Sequence, residues 1–314
     1  MGRGRGNGEI VAVWILLALV AAEIFATYTR LPARDLYHVS GTGLEAGASR
    51  VLVFLNYPAA LVAIPVLLLL ADRRGRAGAA LAGIGIALSA AVFWPGMVDQ
   101  ADLDAKPANV IAALGVAIAV AMTIAAGRGQ SGLDGRGRRR GDRLRIAIAV
   151  VGVVVALPWM AADLGFSFNG LPVLGTLYQT GELRAQPNVP GLHHAVHHGH
   201  HHGMDGLLLL LTALLLSRAL QNVRRPAVRR WTAAFLALML VYGSGEILND
   251  FWTEQVLKRG WTTWAVPDVT RPTVSIGWGV IVLVSALVYV LWFGRSGPGI
   301  AAASKVRRNA LGLP

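Results

Sequence analysis

Apolar stretches long enough to cross about 30 Å of hydrocarbon, roughly 17 to 25 residues at helical rise, recur along the chain. They lie near residues 10–28, 50–71, 77–96, 108–126, 145–163, 204–220, 230–250 and 273–293. A bilayer holds no water to pair free backbone groups, so each run must satisfy its own N–H and C=O groups as a helix. The pattern predicts an all-α fold: a polytopic integral membrane bundle of about eight transmembrane helices, one membrane domain over residues 1–314.

Composition agrees. Apolar residues make up 54% of the chain and charged residues 15%, and mean hydropathy is +0.53. Soluble domains carry about 25% charged residues. The absence of cysteine excludes a disulfide-stapled secreted module.

Charge sets the direction of threading, because basic loops stay on the cytoplasmic side. With the N-terminus inside, 21 of the 29 lysines and arginines fall on inner segments, and only four acids do (Glu9, Asp72, Asp134, Asp142). Both termini are therefore expected in the cytoplasm. The net charge of +12 then reflects topology rather than nucleic-acid binding. The basic loop 127–145 has no interleaved aromatics for base stacking and reads as a solvated cytoplasmic linker facing anionic headgroups. A bias of 26 arginines to 3 lysines suggests a GC-rich bacterial source, hence a plasma membrane. The first run reads as an uncleaved anchor, since it is long and Glu23 interrupts its far end; a cleaved signal would leave the same outer face.

Two outer connections stand out. Residues 164–203 are too long for a plain tether, and residues 251–272 carry Trp252, Trp261 and Trp264, suited to an interfacial belt or a lid over an amphiphile. The acidic connection with Asp99, Asp102 and Asp104 lacks the glycine and distal glutamate of an EF-hand and reads as a solvated turn.

Polar residues within the runs are confined to one layer. Glu23, Asn56, Asp163, Asp205, Glu246 and Asp250 lie in the outer halves, whereas the inner halves are almost wholly apolar. Helical rise places Glu23 and Glu246 about 21 to 24 Å from the inner boundary, in the outer leaflet. An ionisable group at that depth costs several kcal/mol unless paired or used, so these acids mark a site. Gly243, Ser244 and Gly245 let a neighbouring helix approach closely beside Glu246.

The densest chemistry is in residues 191–206, which hold seven of the eight histidines; His38, the eighth, also lies outside. Imidazole is the commonest ligand for zinc, copper and iron. With Asn188 as cap and Pro190 in the first turn, the segment is expected to extend the sixth span outward as a helix. At about 100° per residue, His194, His197, His198, His201 and Asp205 then share one stripe and form the predicted metal site, joined by Glu246 and Asp250. His193, His200, His202, Asn249 and Asp163 are expected to support those ligands. Glycines at 191, 199, 203 and 206 weigh against the helix.

The fragment His194-x-x-His197-His198 resembles one histidine box of the integral-membrane desaturases and hydroxylases. Their further boxes are missing here and theirs face the cytoplasm, so no membership follows. The expectation is an outer-face metalloenzyme using zinc, iron or copper, a hydrolase or oxidoreductase acting on a membrane lipid or lipid-like small molecule. Glu246 would be its general base and Glu23 a proton partner. The alternative is transition-metal transport, sensing or storage.

Overall fold

A computed structural model describes residues 7–30, 38–94, 102–127, 139, 141–166, 168, 170–177, 183–186, 189–194, 202–257, 259–270 and 272–293. Long helices dominate: α1 (Gly8–Arg30), α2 (Gly43–Arg73), α3 (Arg76–Ser89), α4 (Pro107–Gly127) and α5 (Asp142–Asp163). A short α6 (Leu174–Leu177) and a hairpin of β1 (Leu183–Gln186) and β2 (Val189–His194) follow. The chain then resumes as α7 (His202–Ala219), α8 (Pro226–Trp252) and α9 (Ile276–Val288).

Among the described residues, seven helices are long and apolar enough to cross a membrane; α8 and α9 count with the π-helical turns that prolong them. The expected eighth span, α5, is a continuous helix of 22 residues but is not among those seven. It is nonetheless about 33 Å long, and Ile146, Val150, Val151 and Val154 face outward from it. Exposed aliphatic residues likewise line α1 (Val11, Ile15, Leu19), α4 (Val110, Leu114, Ile124) and α9 (Val280, Leu283, Leu287). So much outward apolar surface is stable against lipid and not against water.

The centre is built by α2, α7 and α8. In α7, 78% of the spanning stretch is buried, against 17% in α9. Leu208, Leu209 and Leu216 of α7 pack against Leu67, Leu69 and Leu70 of α2 and Leu236 and Met239 of α8 in one continuous core. Pro58 and Pro65 lie inside α2 and are buried among these neighbours; such prolines are tolerated in membrane helices where surrounding helices shield the freed carbonyls.

Successive spans run in opposite directions, so each end of the bundle has one character. At the basic end Asp142 accepts the Arg139 N–H at 2.8 Å and pairs with Arg145 at 3.1 Å and Arg218 at 3.4 Å. Arg145 also donates to Ser217 at 2.7 Å, and Arg139 pairs with Glu9 at 3.4 Å, so α1, α5 and α7 are tied together. Nearby, Asp72 accepts the N–H groups of Arg224 and Arg225, which seats the α7–α8 connection on the end of α2. The opposite, acidic end carries the candidate chemistry.

Candidate functional site

The acidic end is assembled around the crossing of α7 and α8, where glycines allow the backbones to touch. A Cβ on Gly206 would stand 2.7 Å from the Gly243 carbonyl oxygen. Carboxylates flank this contact. Asp205 sits in the first turn of α7, where unpaired backbone N–H groups favour negative charge. Glu246 is one turn beyond Gly243, and only 1% of it is exposed. Asp205 interacts electrostatically with Glu23 of α1 and Asp250 of α8, and Glu246 with Asp205, Asp250 and Asp268. Acids of α1, α7 and α8 thus lie within electrostatic range of one another.

Its hydrogen bonding is incomplete. The Oε2 atom of Glu246 and the Oδ1 atom of Asp205 are buried without a partner among the described residues. Glu23 is buried, with Thr27 hydroxyl donation to its backbone carbonyl at 3.1 Å. Asn249, expected to support the ligands, instead donates to the Pro267 carbonyl at 2.9 Å and fastens the following loop.

Two tyrosines unforeseen in the sequence complete the layer. Tyr57 of α2 donates to the Tyr242 hydroxyl at 2.9 Å, and Tyr242 donates to the Thr270 carbonyl at 2.7 Å. Tyr242 is also in a side-chain hydrogen bond with Glu246, its i+4 neighbour. That spacing was the available sequence signal. The loop 259–270 is thereby fastened to α8 at Pro267 and Thr270. Trp252 donates to the Trp264 carbonyl at 2.9 Å, and the two rings meet edge to face, with Trp261 and Trp264 exposed.

The histidine segment departs from its expected form. Val189–His194 is a strand paired antiparallel to β1, with His193 opposite Arg184 and His194 opposite Leu183. Gly191 has φ of +93°, incompatible with a right-handed helix, and α7 starts only at His202. His194, in β2, therefore does not share a helix with Asp205, in α7. His197, His198, His200 and His201 lie outside the described residues, and for His193, His194, His202 and Asp163 the backbone alone is described.

The remaining histidine meets acids. His38 and Asp102 form a parallel bridge between the segment before α2 and the segment before α4, closed by the Leu103 N–H to the His38 carbonyl at 2.9 Å. His38 Nδ1 lies 3.4 Å from Asp102 and 3.6 Å from Asp104. One ligand atom from each of the three falls within 4.8 Å of the others, close enough for one metal ion. Ser49 of α2 braces this arrangement, donating to the Leu103 carbonyl and accepting the Ala105 N–H. The Asp104 N–H, with His38 and Lys106 beside it, holds the Asp102 carboxyl below the usual aspartate range, against a smaller opposing effect of burial.

No protein-family model, curated protein or solved structure matches the chain.

Proposed function

We propose that this membrane protein is a metal-dependent enzyme whose centre lies in the acid layer at the α7–α8 crossing. In this reading Asp205, Glu246 and Asp250 supply carboxylate ligands, and histidines of residues 193–202 supply imidazoles from the segment leading into α7. The observation that carries the proposal is the buried Glu246 carboxylate, with one oxygen unpartnered and Asp205 beside it. Adjacent acids inside a bilayer repel strongly at low dielectric and persist only where a cation or protons neutralise them.

A zinc, iron or copper ion held there would polarise a substrate oxygen or activate a bound water. Glu246 would serve as ligand or base, and Glu23 as a proton partner. The exposed Trp261 and Trp264 of the loop after α8, at the same end of the bundle, support a lipid or other amphiphile as substrate. The positive-inside bias supports an extracytoplasmic position for this end, and the arginine-over-lysine bias supports a bacterial plasma membrane. An ion carrier is less well supported, because the α7 stretch following the site, Leu207 to Leu211, offers no side-chain ligand on the way to the basic end.

Elemental analysis of the purified protein tests the reading. A near-integral amount of one transition metal is expected, largely lost in Glu246→Gln and in His198→Ala/His201→Ala, and retained in His38→Ala. Loss in His38→Ala alone would move the ion to the His38, Asp102 and Asp104 group, and metal-free protein would overturn the proposal.

A further inference from the structure

We infer that a groove between α1 and α2 at the acidic end seats one anionic phospholipid, with its phosphate on Arg50 and an acyl chain along Phe25, Val51, Phe54 and Leu55. The groove is a concavity of about 300 Å³, at the lower end of the range for small-ligand sites, roughly 300–1,000 Å³. It runs beside Ile24, the residue after Glu23, and so borders the acid layer.

Apolar walls inside a membrane attract any acyl chain equally, so selectivity has to come from the polar group at the mouth. Arg50 lies seven residues from the start of α2, about 10 Å along its axis. Its Nε donates to the Ala46 carbonyl at 3.2 Å, and it pairs with no carboxylate among the described residues. Two other cations at this end have partners of their own. Lys106 lies 3.8 Å from Asp102, and Arg259 donates to Gln255 and the Thr176 carbonyl and covers the Trp261 ring. Arg50 thus keeps its terminal guanidinium donors for an external anion, in the planar fork that matches a phosphate.

Gly47 indicates that the space is kept open. At Gly206 and Gly243 an added Cβ would strike a neighbouring backbone, but at Gly47 it would meet nothing within 4 Å. This glycine therefore serves no close helix contact; it forms a notch one turn from Val51. The inference is independent of the metal reading, since it concerns lipid held by the chain whether or not metal is bound.

Native mass spectrometry of the full chain, released from a zwitterionic detergent and titrated with phosphatidylglycerol or phosphatidylcholine of the same acyl chains, tests it. Wild type is expected to retain phosphatidylglycerol roughly tenfold better. Arg50→Gln should bring the two to parity and Arg50→Lys should keep part of the preference. Gly47→Leu should reduce both by filling the notch, with Val51→Trp filling the same space should Gly47→Leu not fold. Equal retention of the two lipids by wild type, or a preference unchanged in Arg50→Gln, would overturn the assignment and leave the groove as ordinary lipid-facing surface.

Discussion

Gly206 of α7 and Gly243 of α8 face each other across the tightest helix contact at the site. A Cβ on Gly206 would lie 2.7 Å from the Gly243 carbonyl oxygen and 2.8 Å from the Glu246 Cβ, while one on Gly243 would lie 2.9 Å from the Leu210 nitrogen. Backbone cannot yield as a flexible side chain does, so Gly243→Ala forces the helices apart. Overpacking of this kind costs about 1–3 kcal/mol. A lowered apparent Tm in detergent is expected, together with reduced metal content, because Asp205 and Glu246 sit on either side of the crossing. An unchanged Tm would mean that the helices separate here without cost.

The spans were legible because a bilayer leaves little alternative to a long apolar helix. Boundaries were less so: α2 begins at Gly43, well before the apolar run at residue 50, and its early turn is held by Ser49, which bonds the Leu103 carbonyl and the Ala105 N–H rather than meeting lipid. The acids of α1, α7 and α8 stood out too, as charges at membrane depth are conspicuous. The Tyr57–Tyr242 contact was not, because one tyrosine on each of two apolar helices carries no pattern. Nor was the meeting of His38 with Asp102 and Asp104, which depends on a loop-to-loop bridge across 64 residues. The histidine segment was misread over residues 189–194 because spacing every third and fourth residue suggested a helix, while the strand pairing and the positive φ of Gly191 decided otherwise.

The basic end offers a separate test of what holds the bundle together. Asp142 serves Arg145 and Arg218 at once, and the Arg145 side chain is only 9% exposed. Asp142→Asn removes the charge and leaves a buried guanidinium uncompensated, which costs about 3–5 kcal/mol where burial is complete. Replacing Arg145 with Met in the same chain should recover part of that loss, a coupling readable from a double-mutant cycle of unfolding in denaturant. Strict additivity of the two changes would show that the pair does not interact.

At the other end, acidity should loosen the His38 clamp. The Asp102 carboxyl accepts the Asp104 N–H at 3.0 Å and is held below its ordinary range chiefly by that bond. A group depressed on folding contributes stability that is complete above its unfolded value, about 3.9, and is lost as pH falls through the lower folded value. Hydrogen exchange at Asp104 and Ala105, corrected for intrinsic rates, should therefore be flat from pH 7 to about 5 and accelerate only at lower pH. Asp102→Asn should exchange rapidly throughout and lose the pH dependence. Acceleration already near neutrality would place the control in another group.

Whether α5 crosses the membrane is open to a direct experiment. Its first turn is tied to Arg218 near the end of α7, and midway Gly152 lies against Leu207 and Leu210, so α5 runs antiparallel to a central span over about 33 Å. That path carries the chain from the basic end to the acidic end. Reporter fusions after residue 135 and after residue 185 bracket α5, the one long helix described between them, and they should read on opposite sides, the first cytoplasmic and the second extracytoplasmic. Two fusions reading on the same side would make α5 a peripheral helix and reduce the bundle to seven spans. Opposite sides in the reversed sense would keep the architecture but turn the acid layer and the histidine segment towards the cytoplasm, where a metal centre would meet a different pool of ions and substrates.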